Sequence, residues 1–179
     1  MAQTNTTALV SGAAGATDAA VARSLPAMGA RVILLDRVAG PLAELSSSHG
    51  DRAVCVVLNL TDDARLPTAV ARLVDQFGCV DVRVNNADIL TPTKAIATSM
   101  EEWRRVMAVN LDAAFILTQE VSAGMRVAKW GQIINMSSYA SKSGGVSAGT
   151  AHAVAFLASP LARFITKEVI DLNGGLHLD

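Results

Sequence analysis

Gly12, Gly15 and Asp36 stand where a chain needs them to hold a dinucleotide. The glycines lie in a turn, Ser11-Gly12-Ala13-Ala14-Gly15-Ala16, that follows the apolar strand Ala8-Leu9-Val10 and opens a helix. Glycine lets the backbone turn sharply and approach a ligand closely. Backbone N–H groups at a helix start lack partners, so they can hold the charges of a pyrophosphate. A second apolar strand, Arg31-Val32-Ile33-Leu34-Leu35, ends in Asp36. A carboxylate there can accept hydrogen bonds from the adenosine ribose. Strand, turn, helix, strand and acid form one unit, and that unit implies both a fold and a class of cofactor.

The rest of the chain must position this unit. Ala53 to Leu58 reads as a third strand and Val80 to Val84 as a fourth, closed by Asn85-Asn86-Ala87. Gln132 to Met136 is a fifth strand, closed by Ser137-Ser138, and Glu168 to Leu172 a last one. Between them, Asp62 to Phe77 carries Leu66, Val70, Leu73 and Phe77 at helical spacing. Met100–Met107, Asp112–Val127 and Thr150–Leu161 also read as helices. Pro26 removes a backbone donor inside the first helix, which should kink or end just before Gly29. Strands separated by helices imply a three-layer α/β fold, a doubly wound parallel sheet of the Rossmann-like type. No internal repeat or linker divides the chain, so residues 1–179 read as one domain.

Composition agrees with a buried sheet. Hydrophobic residues make up 51 % of the chain and charged residues 17 %, which excludes disorder. The net charge of −1 gives no electrostatic case for nucleic acid or an anionic membrane. The first residues carry no basic segment leading into an apolar stretch, and no apolar run suits a bilayer span. The expectation is a cytoplasmic protein in which Cys55 and Cys79 stay reduced. His49, His152 and His177 share no ligand spacing, so no metal site is expected. Glu101 and Glu102 suit a helix start, Trp103 and Trp130 suit packing, and Arg104-Arg105 suits a solvated face.

Beyond the first unit, short strings recur in a recognisable order: Leu35-Asp36-Arg37, Asn85-Asn86-Ala87, Val109-Asn110-Leu111, Ile134-Asn135-Met136-Ser137-Ser138 and Asn173-Gly174-Gly175. Together with Ser11 to Gly15, they make the chain resemble the short-chain dehydrogenase/reductase family over nearly its whole length. The resemblance implies an NAD(H)-dependent oxidoreductase that passes a hydride between nicotinamide and a small-molecule carbonyl or secondary alcohol. It implies NAD over NADP, because Asp36 would repel a 2′-phosphate, although Arg37 beside it is a basic alternative. Ser11, Gly12, Gly15, Ala16, Asp36, Arg37, Asn59, Asn86 and Ala87 fall at the family's cofactor-binding positions.

The family's catalytic groups are an Asn, a Ser, a Tyr and a Lys. Asn110 fits the Asn, which holds a water in a proton relay, and Ser138 fits the carbonyl donor. The resemblance assigns Tyr139 as acid/base and Lys142 as its electrostatic partner. In the family the Tyr and Lys lie on a helix well downstream of the Ser, whereas here Tyr139 follows Ser138 directly and Lys142 comes three residues later. The intervening loop, one strand and most of the substrate lid have no counterpart.

Other departures are local. Ala16 and Asp18 stand at family glycines of the turn, and Asp88 replaces a glycine after Asn85-Asn86-Ala87. Two carboxylates near a diphosphate, with the contracted Ser-Tyr-Lys region, open a rival reading: a catalytically silent Rossmann domain that binds nucleotide or serves as an interaction module. The apolar helix near 112–127 suits a homo-oligomer. The expected sheet has six strands ordered 3-2-1-4-5-6, with Glu168–Leu172 at the edge.

Overall fold

A computed structural model of the chain describes residues 6–137 and 147–172. Its first strand, β1 (Thr7–Ser11), leads through the glycine turn into α1 (Ala16–Ala27) and β2 (Arg31–Asp36). Then come α2 (Ala39–His49), β3 (Ala53–Val57), α3 (Leu66–Phe77) and β4 (Val82–Asn85). Two helices, α4 (Met100–Met107) and α5 (Ala113–Ala128), precede β5 (Gln132–Asn135), and α6 (Ser147–Leu157) follows it.

The strands form one parallel sheet in the order β3-β2-β1-β4-β5. The order reverses direction between β1 and β4, and in such sheets the crevice at the reversal is the ligand site. The residues of β2 explain why both faces are covered. Val32 and Leu34 pack into one core with Val21, Leu25, Leu42 and Val154, from α1, α2 and α6. Ile33 and Leu35 pack into the other with Leu66, Val70, Leu117 and Val121, from α3 and α5. All four β2 side chains are fully buried. Each such burial contributes about 1.5–3 kcal/mol before the entropy of ordering is subtracted.

Several local features follow from chemistry legible in the chain. Pro26 sits in the last turn of α1, which ends one residue later. Gly29, at φ +95, then lets the Ala30 N–H turn back to donate to the Leu25 carbonyl. Ser99 and Glu102 form a reciprocal capping box at the start of α4. Glu102 also accepts from the hydroxyls of Thr91 and Thr93, both at 2.9 Å, and so ties down the loop after β4.

Two expectations need correction, and one helix was not foreseen. Among the described residues the sheet has five strands, not six: Glu168–Leu172 is not a strand and lies exposed, with Val169 91 % accessible. Its residue types favour extended structure, but a strand is stabilised by cross-strand neighbours, and this segment pairs with none among the described residues. After α6 the chain turns through Pro160–Ala162, where a hydrogen bond from Gln132 Nε2 to the Ala162 carbonyl, 3.4 Å, links β5 to it. The third helix starts at Leu66 rather than Asp62, because the Asp62 carboxylate accepts from the Arg65 N–H in a preceding turn. The α2 helix, which sequence reasoning did not pick out, fills the β2–β3 crossover.

Candidate functional site

The carboxyl ends of β1, β4 and β5 meet at the reversal of strand order, and the turn after β1 is built by three sets of bonds. Gly12 takes φ +71, and its N–H and that of Ala13 donate to the Leu35 carbonyl at 2.9 and 3.2 Å. Asp36 Oδ2 accepts from the Ala14 N–H at 3.0 Å, while Oδ1 accepts from the Val38 N–H at 3.1 Å. Asn86 Nδ2 donates to the Ser11 and Gly12 carbonyls at 3.1 and 3.4 Å. The turn is thereby held from β2 on one side and β4 on the other.

This arrangement suits a diphosphate. A Cβ at Gly12 would lie 2.5 Å from Ala87 Cα, so only glycine fits between the two loops. The helix opened by the turn has Gly15 as its cap residue, which brings no side chain to satisfy the first-turn N–H groups. Ala16 is the first residue of that helix. Asp36 keeps free lone pairs beyond its two backbone bonds and can accept ribose hydroxyls. Arg37 is exposed beside it. Asn59 is exposed, and its Oδ1 accepts from the Thr61 N–H and hydroxyl. Its amide N–H groups remain as donors toward an adenine edge.

A cavity of about 420 Å³ continues from the turn across β4 and β5, lined by Ser11, Asn85, Ala87, Asp88, Asn110, Thr118 and Met136 among others. Asn110 forms part of this wall. Its Oδ1 accepts from the Ile89 N–H at 2.9 Å, and its Nδ2 donates to the Ile89 carbonyl at 3.0 Å. The two helices flanking it are joined by a π-helical turn, Ala108–Asp112, in which the Ala113 N–H reaches back five residues to the Ala108 carbonyl. Such a widened turn re-aims side chains and loosens backbone carbonyls, and it is common at functional sites. Asp88 is exposed on the same wall. Ser138, Tyr139 and Lys142 lie outside the described residues. Met136, just before them in the chain, lines the cavity, and Ser137 is exposed.

Two groups were missed in the sequence. Thr118 accepts at Oγ1 from Asn85 Nδ2 at 3.0 Å, and Asn85 Nδ2 also donates to Asn135 Oδ1 at 2.8 Å, which fixes β4, β5 and α5 together. Arg83, in the middle strand of this region, is fully buried. Its Nη1 donates to the Leu9 carbonyl at 3.0 Å and to the Val84 carbonyl at 2.6 Å, and its Nη2 to Ser11 Oγ at 2.9 Å. Loss of hydration pushes its guanidinium down to about 9, which leaves it cationic at neutral pH. A lone basic residue inside Val82-Arg83-Val84 was the available signal.

Comparison with known proteins agrees with this architecture. The family model for short chain dehydrogenase matches residues 6–173. The chain is 30 % identical to sorbitol dehydrogenase of Cereibacter sphaeroides over 172 residues, covering 93 % of this chain and 67 % of that protein. It is 32 % identical to a 3-oxoacyl-(acyl-carrier-protein) reductase of Escherichia coli, covering 93 % and 70 %. The alignment to the corresponding Vibrio cholerae reductase runs over 236 residues, 28 % identical, and takes in 96 % of this chain and 97 % of that protein. Since this chain has only 179 residues, a long stretch of that relative has no counterpart here.

Among solved structures, a short-chain dehydrogenase from Streptomyces avermitilis superposes with a TM-score of 0.73 at 28 % identity. That match covers 87 % of this chain and 58 % of that one, so the present chain spans little more than half its length. A metagenomic short-chain oxidoreductase in complex with NADP also gives 0.73, at 30 % identity, covering 85 % and 70 %. The parallel sheet, the turn at Gly12 and these matches agree: the chain belongs to the short-chain dehydrogenase family.

Proposed function

We propose that this chain is an oxidoreductase that binds a nicotinamide dinucleotide, NAD in preference to NADP, and exchanges a hydride with a carbonyl or secondary alcohol. The observation that carries the reading is the Ser11–Gly15 turn, pinned by Asp36 and Asn86 and open at the start of α1. When bound, the cofactor supplies or receives the hydride. The chain's own groups do the rest. First-turn N–H groups of α1 hold the phosphates, Asp36 takes the ribose hydroxyls, and Asn59 and Arg37 flank the adenosine side. A 2′-phosphate beside Asp36 would meet like charge, which favours NAD. In the cavity, Asn110 fixes the loop at Ile89 and borders a relay water. Ser138 donates to the carbonyl oxygen, Tyr139 gives or takes the proton there, and Lys142 keeps that phenol acidic.

The relatives' names support a carbonyl or alcohol substrate, and the NADP complex of the metagenomic oxidoreductase supports a nicotinamide cofactor, without deciding between the two dinucleotides. We take residues 1–179 to act as one domain in the cytoplasm, where Cys55 and Cys79 persist as free thiols. Exposed Leu111 in the π-helical turn and Phe115 in α5 support a homo-oligomer.

Titration with NADH and NADPH, read by nicotinamide fluorescence, tests the reading. Saturable NADH binding, tighter than NADPH, is expected. Asp36→Ala should narrow that gap. Binding without turnover of any alcohol or carbonyl, unchanged in Tyr139→Phe, would support the silent domain instead.

A further inference from the structure

Among the described residues, Arg83 stands out as a charge without a counter-charge. It is fully buried, and its Nε finds no partner among the described residues. The one ion pair among those residues joins Arg65 to Asp62 on the surface, so among the described residues no carboxylate lies within ion-pair distance of the Arg83 guanidinium. Burying a cation in this way is costly, and the hydrogen bonds to Leu9 and Val84 carbonyls offset the cost only in part. The third bond shows where the charge is aimed. Nη2 donates to Ser11 Oγ, the side chain from which the turn departs, and that same oxygen lies 3.4 and 3.5 Å from the N–H groups of Asn86 and Ala87. Ser11 lines the cavity, and Asp88, exposed on its wall, adds negative potential there.

We propose that Arg83 is a positioning residue for the dinucleotide's diphosphate: its guanidinium, held under the turn by Ser11, attracts the phosphates from within the protein and offsets Asp88. The proposal rests on the nucleotide-binding reading above. A charge enclosed in protein is poorly screened, so it acts across one intervening side chain more strongly than a surface cation would. It also gives the buried charge what it lacks, a counter-anion that arrives with the ligand. Phosphate recognition in this chain is then shared between the α1 backbone and a cation that never touches solvent.

The test separates charge from scaffolding. Adenosine, ADP and NADH are titrated against the wild type, Arg83→Met and Arg83→Lys by ligand-observed NMR and fluorescence. Arg83→Met should weaken ADP and NADH about tenfold while leaving adenosine within twofold, and Arg83→Lys should restore most of the loss. A merely structural role would weaken all three ligands alike, or none, and either result overturns the proposal. If the Met variant does not fold, the wild type still decides: the Arg83 Nε–H resonance should shift with ADP and stay put with adenosine, and no shift with ADP overturns the proposal. Wild-type protein that binds none of the three ligands refutes the nucleotide reading itself. ADP binding that is indifferent to Arg83 refutes only this inference.

Discussion

Gly12 and Ala87 are in backbone contact across the mouth of the cleft, so close that a methyl on Gly12 would stand 2.5 Å from Ala87 Cα. The contact joins the β1 turn to the β4 loop, and Gly12 also holds φ +71. Gly12→Ala therefore meets two penalties, a left-handed backbone and a collision with main chain. Together they should cost about 2–4 kcal/mol, and urea denaturation of the variant should show a midpoint lowered accordingly. A midpoint equal to that of the wild type would mean the two loops are free to part.

Asp36 has two functions that a single substitution separates. Its carboxylate caps the Ala14 and Val38 N–H groups. Asp36→Asn keeps an acceptor oxygen but loses the charge. The stability loss should be no more than about 1 kcal/mol, since one capping bond survives. Discrimination between NADH and NADPH should fall by a larger factor. Paired thermal unfolding and cofactor titrations check the split. Equal discrimination in the variant would remove Asp36 from the ribose site.

The dinucleotide unit was legible in the sequence because everything it needs is local: apolar strands, a glycine turn and an acid within one crossover. The rest depended on neighbours far along the chain. Glu168–Leu172 has strand-forming residues, but pairing is decided by where α6 delivers the chain, and composition does not carry that information. Ala39–His49 carries Gly40-Pro41 in its first turn and three serines near its end, so its two buried leucines, Leu42 and Leu45, gave a faint helical pattern. Arg83 was passed over as one polar residue in an apolar strand, and only the fold shows that it points at Ser11. The pairing of Asn110 with Ile89, 21 residues apart, is equally invisible to local periodicity. The contraction around Tyr139 and Lys142 could be seen by sequence against the family pattern, and the long unmatched stretch of the Vibrio cholerae relative agrees with it.

Arg83 should make the protein less stable at neutral pH than it needs to be. Its guanidinium is lowered by desolvation from the ordinary arginine range to about 9, so the folded state releases this proton earlier than the unfolded chain. Above about pH 9, and up to the ordinary arginine range, the unfolded state binds more protons, and stability from this group rises with pH. Below about 9 the penalty is fully present. Arg83→Met should thus equal or exceed the wild type at pH 7, by up to about 1–4 kcal/mol, as replacements of buried charges by apolar groups do. The difference should shrink when urea curves are repeated at pH 10.5, and other titrating groups cancel in the comparison. A gap that widens at high pH would show that the guanidinium is stabilising where it lies. Combined with weaker ADP binding, a more stable Met variant would mean that this chain carries a destabilising charge for the sake of its ligand.

Glu102 offers an acid-side test of the loop that borders the cavity. Its carboxylate is held below the usual carboxylate range by the Ser99 N–H first, then by the hydroxyls of Thr93 and Thr91. A carboxylate lowered on folding adds stability above its unfolded value, and that stability is lost as pH falls through the folded one. Loop 89–99 should therefore loosen in mild acid while the sheet persists. Hydrogen exchange at the Thr93 and Ser99 amides should speed up between neutral pH and about pH 3, below the ordinary carboxylate range, after correction for the intrinsic rate. Glu102→Gln should show fast exchange at both pH values, because a neutral amide accepts these bonds more weakly. Exchange that is slow and independent of pH in both proteins would assign the loop's order to Asn110 and Ile89 alone.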